Sequence, residues 1–327
     1  MIEVLAIPPL ATVQDLGRDG YWHQGLGRAG AMDALALAVA NLLLGNDRGV
    51  AGLEIPLTPA RLRFTRKGAF AIAGAACRAK LDGISLPQVW AGPVMAGQIL
   101  DLGPINRGAR VYITLPGGVD VPPVLNSHST QLREAFGGFA GRALRAGDII
   151  EAARKEADIP RPPLSIQMPA SRAPGEDVIT LRALPSTEHD SFAPQARTAF
   201  WSTPYQVTEK SNRQGFRLSG TELARDDTGE LRSHGIVPGI VQVPGGGQPI
   251  IQLADSATMG GYPKIAAVIE PDLWRIAQAG PGALLQFRQV TLNEAAEAET
   301  EQRRWLAALE KDLAVLAEQL RGWASHV

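Results

Sequence analysis

Short stretches of alternating apolar and polar residues run through most of the chain, and glycine or proline closes most of them. In the first half, this pattern predicts strands at residues 2–7, 61–65, 69–74, 78–80, 98–102, 110–115 and 148–152. In the second half, it predicts strands at residues 177–182, around 240, 249–254, 265–269 and 282–290. The chain contains 35 glycines and 24 prolines, which is typical of many short strands and tight turns. We therefore predict a mainly β protein with few helices.

Helices are predicted at three places. Residues 34–44 are almost all apolar, with Asp33 placed to cap the first turn and Gly45 to end the helix, so this helix should be buried. Asn41 is its polar exception, and a buried amide needs partners, which are either backbone groups or a ligand. A short helix is predicted around residues 271–278 and a long one at residues 292–325.

The long terminal helix carries its large apolar residues on one side. They recur every three or four positions, at Trp305, Leu309, Leu313, Leu316, Leu320 and Trp323. Such a seam either packs on the body of its own chain or pairs with another chain, and the sequence leaves both alternatives open.

A proline-rich stretch divides the chain. Residues 156–175 hold five prolines among mixed charges, which is typical of a linker. We expect an N-terminal lobe at residues 1–155, a C-terminal lobe at residues 176–291 and the helix after it. An Arg-x-Gly-aromatic sequence occurs once in each lobe, at residues 18–21 and 213–216, which agrees weakly with two similar halves.

Composition narrows the class of protein. The 32 basic and 33 acidic residues nearly balance, and no basic stretch indicates nucleic-acid binding. No apolar run approaches the ~20 residues that span a bilayer, and the N-terminus does not resemble a signal peptide. The single cysteine, Cys77, excludes an internal disulfide, and the five scattered histidines show no metal-ligand spacing. We expect a soluble cytoplasmic protein without a metal site.

Residues 242–266 contain the densest group of candidate binding residues. A predicted strand at 249–254 is flanked by Gly245–Gly247 and by the turn Gly260–Pro263, with Asp255 at its end and Lys264 after the turn. Glycine turns beside a strand end allow a ligand to approach the backbone closely. The alternative is a plain hairpin with glycine turns.

Two further segments of the first half carry polar residues. Arg18 either pairs with Asp15 in a turn or holds a ligand carboxylate or carbonyl. The hydroxyls of Ser127, Ser129 and Thr130 beside His128 suggest a nucleophile cluster, but the G-x-S-x-G elbow is missing, so turn capping is the alternative. Residues 25–30, GLGRAG, match a dinucleotide fingerprint without its preceding strand, and no phosphate-loop sequence occurs.

An ordered series of short motifs resembles the allophanate hydrolase subunit 2-like, or carboxyltransferase-like, family over about residues 3–290. In the first half these motifs are Gln14-Asp15-Leu16-Gly17-Arg18, Ala29-Gly30-Ala31-Met32-Asp33, Ala40-Asn41, Leu53-Glu54, Gly117-Gly118-Val119-Asp120, Ser127-x-Ser129-Thr130 and Gly137-Gly138-x-x-Gly141-Arg142. In the second half they are Ser211-Asn212-Arg213-x-Gly215, Gly247-Gln248-Pro249, Asp255 and Gly260-Gly261-Tyr262-Pro263.

The resemblance implies two cyclophilin-like β-barrel lobes with a site in the cleft between them. It also implies one of three functions. The first, which we favour, is the C subunit of an ATP-dependent 5-oxoprolinase complex, which opens 5-oxoproline to glutamate with a B-subunit-like protein and a lactam-utilisation A-subunit-like protein. The second is the carboxyltransferase component of a biotin-dependent urea or amide carboxylase. The third is a regulator that binds a B-subunit-like kinase inhibitor.

Each enzymatic function would require the protein to hold a planar amide or urea group. Carboxylate and carboxamide groups suit its N–H donors, and cationic or hydroxyl donors suit its oxygen. We therefore predict Asp255 as the acceptor from the substrate N–H, with Asn212 and Gln248 orienting it. The predicted substrate-binding residues are Arg18, Asn41, Ser127, Ser129, Thr130, Arg213, Gly260, Gly261, Tyr262 and Lys264.

The sequence departs from the family pattern at two places. The family's usual Gly-Ser-Arg-Ser-Thr has Asn126 and His128 in place of its glycine and arginine. The usual Thr-Thr-Gly-Gly has Met259 in place of its second threonine. Substrate identity is the property that these changes put in question.

Overall fold

A computed structural model describes residues 1–154, 162–168, 177–226, 229 and 231–324, and the chain divides into two compact units. Unit 1 comprises Met1–Arg18, Asp33–Pro169 and Arg303–Val327, and unit 2 comprises Asp19–Met32 and Ala170–Gln302. The predicted lobes were continuous in sequence. The units differ from them because residues 19–32 group with the second half and the later part of the terminal helix groups with the first.

Unit 1 is built on a ten-stranded sheet. Its strands are β1 Ile2–Ala6, β2 Thr12–Gln14, β3 Gly52–Pro56, β4 Ala60–Phe64, β5 Gly68–Leu81, β6 Ile84–Ser85, β7 Trp90–Val94, β8 Ile99–Thr114, β9 Ile149–Ile150 and β10 Leu164–Ser165. The order is β10-β7-β5-β8-β4-β1-β9, with β3 also on β8, β2 on β3 and β6 on β5. The family resemblance implied a β-barrel in the N-terminal lobe. Among the described strands, the pairing in unit 1 gives a branched sheet and no closed barrel.

The longest pairing in unit 1 joins β5 to β8. Each of these strands was predicted as two short runs, and each forms one long strand with three shifts of register between Gly74 and Ala79. Gly74 has a φ of 99°, and a β-carbon there would collide with the carbonyl oxygen of Arg110. Irregular pairing at such points explains why the apolar alternation is interrupted although the strands continue. The predicted linker also proves to contain β10, which pairs with β7.

The buried helix of unit 1, α1, spans Ala34–Leu43, within one residue of the prediction. Its N-terminus is set by Asp33, whose carboxylate accepts a hydrogen bond of 2.8 Å from the Ala36 N–H. Nine of its ten residues are buried, as expected for a helix apolar on every side.

Unit 2 is a closed barrel. Its strands are β11 Val178–Pro185, β12 Tyr205–Val207, β13 Gly215–Ser219, β15 Ile240–Gln242, β16 Ile250–Gln252, β18 Lys264–Val268 and β19 Leu284–Gln289. They close in the order β11-β18-β15-β16-β13-β12-β19, and a separate ribbon pairs β14 His234–Gly235 with β17 Met259–Gly260. The predicted second barrel is confirmed.

Two short helices accompany the barrel. The first, α2 at Pro194–Ser202, was not predicted, because only Ala196 and Phe200 of its nine residues are buried and its apolar periodicity is weak. Phe200 stacks on Phe287 of β19 with ring centroids 4.4 Å apart. The second, α3 at Leu273–Ala277, follows a short 3-10 turn and lies in the region predicted as helix.

The terminal helix α4 spans Leu292–Ala324, as predicted except for residue 325, which lies outside the described residues. Within unit 1, Leu313 and Ala317 are buried, and Arg48 donates to the Glu310 carboxylate. Leu316 and Leu320 line an apolar cavity of about 210 Å³ together with the end of α1. These contacts favour docking onto the helix's own chain.

Candidate functional site

In unit 1, the Asp15 carboxylate is the centre of a buried polar network. It accepts hydrogen bonds from the Ser127 hydroxyl at 2.8 Å, the His128 N–H at 2.5 Å, the Gly17 N–H at 2.7 Å and the Ser129 hydroxyl. Because both serine hydroxyls donate to a carboxylate, they hold the 127–130 loop against β2. This geometry favours the turn-holding alternative over a serine nucleophile.

Arg18 and Thr130 belong to the same network. The Arg18 side chain is 1% exposed, donates to the Ser129 carbonyl at 2.6 Å and lies 4.8 Å from the centre of the Phe136 ring. Thr130 donates to the Val13 carbonyl through both its N–H and its hydroxyl. Arg18, Ser127, Ser129 and Thr130, four of the predicted substrate-binding residues, are therefore brought together, and each has a partner within unit 1.

Backbone conformations are unusual along the 125–141 loop, which includes the 127–130 segment that this network holds. Seven residues of the 125–141 loop have positive φ, namely Leu125, Asn126, Ala135, Gly137, Gly138, Ala140 and Gly141. Non-glycine residues in this conformation are costly, and such residues concentrate at functional sites. The loop is therefore the strongest candidate for a functional surface in unit 1.

Asn41 lies apart from this network. Its amide donates to the carbonyls of Arg48 at 3.3 Å and Val50 at 2.8 Å, and its oxygen accepts from Asn46 at 3.1 Å. The side chain is fully buried. These bonds favour the structural alternative for Asn41, and its predicted contact with a substrate gains no support from its surroundings.

In unit 2, Arg213 and Asp255 form a buried ion pair. The guanidinium donates to the two carboxylate oxygens in parallel, with both distances 2.9 Å, and also donates to the Gly30 carbonyl at 2.7 Å. Both side chains are more than nine-tenths buried. The predicted acceptor, Asp255, is thus charge-balanced by a predicted substrate-binding residue.

Asn212 and Gln248 both bind backbone groups. Asn212 is exposed, and its side-chain oxygen accepts from the Gln214 N–H at 2.8 Å in a turn. Gln248 pairs with both backbone groups of Gly220, accepting at 2.9 Å and donating at 3.1 Å. These contacts hold the loops around β13 and β16, and no bond links either side chain to Asp255 among the described interactions.

The turn Gly260–Pro263 packs closely on the barrel. A β-carbon at Gly260 would lie 2.6 Å from the amide nitrogen of Gln242, and that nitrogen donates to the Tyr262 carbonyl at 3.4 Å. The Tyr262 side chain is exposed. Gly261 approaches the Leu231 carbonyl, where a β-carbon would lie 3.1 Å away. The backbone of this turn is thus fixed while its aromatic side chain faces solvent.

Lys264, directly after the turn, lies in a titratable cluster. Its ammonium nitrogen contacts Nε2 of His234, and its backbone N–H donates to the Glu188 carboxylate at 3.0 Å. Burial lowers the pKa of Lys264, against the attraction of Glu188. Burial opposes ionisation of Glu188, but bonds from Thr187 and Lys264 and the nearby charges lower its pKa overall. Sequence patterns missed His234 and Glu188, since nothing in their spacing links them to Lys264.

Neither a metal-ligand cluster nor a membrane-spanning helix is found among the described residues. In those residues, no group of three or more His, Cys, Asp and Glu side chains could hold a metal ion. Likewise, none of the described helices is long and apolar enough to cross a membrane.

Comparison with known protein families shows which family this chain is related to. The model of the carboxyltransferase domain, subdomain A and B, matches residues 24–289. The chain belongs to this carboxyltransferase domain family. Its relatives include the C subunit of 5-oxoprolinase from Escherichia coli, 40% identical over 313 residues, which cover 94% of this chain and 97% of that protein. The corresponding C subunit of Haemophilus influenzae is also 40% identical, over 91% of this chain and 94% of that protein.

Larger members of the carboxyltransferase family match over only part of their length. Urea amidolyase of Saccharomyces cerevisiae is 32% identical over 88% of this chain, but the match covers 16% of that protein. The crystal structure of urea amidolyase from K. lactis matches with a TM-score of 0.86 and 27% identity, covering 94% of this chain and 20% of that one. The fold is therefore that of a domain found both alone and within multidomain enzymes.

Proposed function

We propose that this protein is the C subunit of an ATP-dependent 5-oxoprolinase complex. The observation that carries the proposal is the match at 40% identity along 97% of the C subunit of a 5-oxoprolinase. The urea amidolyases, by contrast, are matched over less than a fifth of their length. In the proposed complex, a B-subunit-like protein and a lactam-utilisation A-subunit-like protein join this chain in a cytoplasmic assembly.

The proposed reaction opens the lactam ring of 5-oxoproline to give glutamate. Within it, we assign Asp255 the role of accepting the lactam N–H, because its two oxygens retain lone pairs beside the Arg213 bonds. Asn212 and Gln248 would position the loops that carry it. ATP is a requirement of the assembled complex, and we assign no residue of this chain to it.

The test is to produce this chain together with its A-subunit-like and B-subunit-like partners and to measure ATP-dependent glutamate release from 5-oxoproline. We expect glutamate only when all three chains and ATP are present. Unchanged release in the absence of this chain would contradict the proposal. As a control for ATP itself, the same mixture with a non-hydrolysable analogue should release none.

The similarity to urea amidolyases supports a second candidate, carboxyl transfer. In that case the chain would act with a separate biotin carboxylase and carry a carboxyl group from carboxybiotin to urea or another amide. A stable complex that makes no glutamate but carboxylates urea with carboxybiotin would favour this function. A regulatory role, in which the chain only binds a B-subunit-like protein, predicts a stable complex with neither activity.

A further inference from the structure

At Lys264 a buried lysine faces the imidazole of His234. Nδ1 of His234 lies 3.0 Å from the carbonyl oxygen of Arg232. A carbonyl only accepts, so Nδ1 carries a hydrogen and Nε2 of the neutral ring presents its lone pair to Lys264. If His234 becomes protonated, both ring nitrogens are donors, and the facing Lys264 must then be a neutral amine. The contact therefore holds a single shared proton.

The surroundings tune and orient this pair. Residue Lys264 is 3% exposed and the His234 side chain is 42% exposed, so the lysine is shielded from water and the imidazole can exchange protons with it. Glu188 lies 3.6 Å from Nε2 of His234 and is itself held by the Lys264 backbone N–H at 3.0 Å and the Thr187 hydroxyl at 2.7 Å. Among the described residues, Glu188 and His234 are the titratable groups that face Lys264.

The cluster also lies beside the fixed glycine turn. Gly260 pairs with His234 across the β14–β17 ribbon, and Lys264 pairs with Gln242 across β15 and β18. A ligand bound at the Gly260–Pro263 turn would contact a rigid backbone, next to a lysine that can be deprotonated. Glu188 balances the lysine charge, so the cluster suits a neutral amide better than an anion.

We propose that Lys264 and His234, oriented by Glu188, form a dyad that takes up the N–H proton of an amide or lactam substrate, whereas Asp255 only accepts a hydrogen bond from that N–H when the substrate binds. The shared proton first leaves to water through His234. In the step itself the substrate N–H bond breaks, its electron pair stays on the amide, and the proton binds the neutral Lys264 nitrogen, which restores the one-proton state of the pair. The amide oxygen becomes more nucleophilic as a result. The identity of the substrate rests on the proposed function. The proton shared by Lys264 and His234 does not, because both residues lie in this chain.

The shared proton is tested on the isolated chain by NMR of its lysine side chains. With 13C at the lysine Cε, we expect the Lys264 resonance to titrate at lower pH than that of exposed Lys210. Its midpoint should move by about one pH unit or more in His234→Gln, because coupled groups titrate together. His23→Gln, at an exposed histidine, should leave it unchanged. A Lys264 midpoint equal to that of Lys210, or one insensitive to His234→Gln, would overturn the dyad.

The catalytic step is tested in the assembled complex with Lys264→Arg. Arginine keeps the charge and the donors but does not release its proton at accessible pH. We expect kcat to fall on the order of 10²-fold, with KM changed by less than about threefold. Lys210→Arg should keep full activity. Wild-type kcat in Lys264→Arg would refute the step. If the wild-type complex makes no glutamate, the proposed function fails, while the NMR titration still decides the dyad.

Discussion

Replacing Asp255 by asparagine tests whether its ion pair is chiefly a structural element of unit 2. The wild-type carboxylate receives two parallel bonds of 2.9 Å from Arg213, and both groups are more than nine-tenths buried. Asparagine can accept one of these bonds through its oxygen but carries no charge. The guanidinium is therefore left without its counter-charge in a buried position.

The loss of this counter-charge sets the expected decrease in the free energy of unfolding. Removing one partner of a buried pair costs about 3–5 kcal/mol, and the retained hydrogen bond places Asp255→Asn near the lower end, about 3 kcal/mol. With a urea dependence of about 2 kcal/mol per molar, the unfolding midpoint of unit 2 should fall by about 1.5 M. The double variant Asp255→Leu, Arg213→Met removes both charges, so it should be less destabilised than the single variant.

Hydrogen exchange measured by mass spectrometry in increasing urea distinguishes the two units. The readout is loss of protection in peptides from β15 and β16 of the barrel. Asp190→Asn is the matched control, because Asp190 pairs with Arg197 at the surface and its loss should not move the midpoint measurably. A midpoint shift below about 0.3 M for Asp255→Asn would refute the buried-pair argument. If Asp255→Asn remained stable and assembled but formed no glutamate, the substrate role would be favoured instead.

Three further predictions address other parts of the chain. Burial raises the pKa of the Cys77 thiol to about 11, so alkylation at pH 8 should be about a hundredfold slower than for a thiol of pKa 9, and a rate equal to that of a free thiol would contradict this. Gly137 has a φ of 69° and a β-carbon there would overlap a backbone carbonyl, so Gly137→Ala should cost more stability in urea than Gly97→Ala, where φ is 89° and the space is open. The hydrogen bond from Arg142 is the main cause that lowers the pKa of Asp148 in the folded protein. The stability that this ionised carboxylate contributes is therefore complete above its unfolded pKa and is lost as the pH falls through its lower folded pKa. Arg142→Gln should flatten the acid dependence of the unfolding midpoint below about pH 4.

Elements with local signals could be predicted from the sequence. The Asp33 cap and the apolar run after it located α1 to within one residue, because both signals lie in the helix's own sequence and do not depend on distant partners. The terminal helix was equally clear from its periodicity. The continuation of β5 through Gly74 could not be predicted, because its pairing with β8 overrides a local interruption of the pattern.

The partners of the site residues depend on long-range packing. The Ser127 hydroxyl meets Asp15 across 112 residues, and the Glu188 carboxylate meets the Lys264 backbone across 76. Residue type marked Asp15, Ser127 and Lys264 as candidate polar residues, but it indicated neither the partner Glu188 nor whether their bonds go to a ligand or to the protein. Gln248 illustrates the difference, since both its amide groups bind the backbone of Gly220.

The departures from the family pattern at Asn126 and His128 leave in place the hydrogen bonds that hold the loop at residues 126–130. Asn126 has a φ of 58°, a conformation that asparagine tolerates better than most residues, so it can replace the family's glycine without moving the loop. At His128, the backbone N–H donates to Asp15, a bond that any non-proline residue could make, and the ring contacts the Val121 carbonyl at 2.7 Å. The backbone is therefore held independently of the side chain at position 128. We predict that His128→Arg preserves the unfolding midpoint and changes KM for the substrate in the assembled complex. A lowered midpoint with unchanged KM would show that the imidazole supports the loop rather than selecting the substrate.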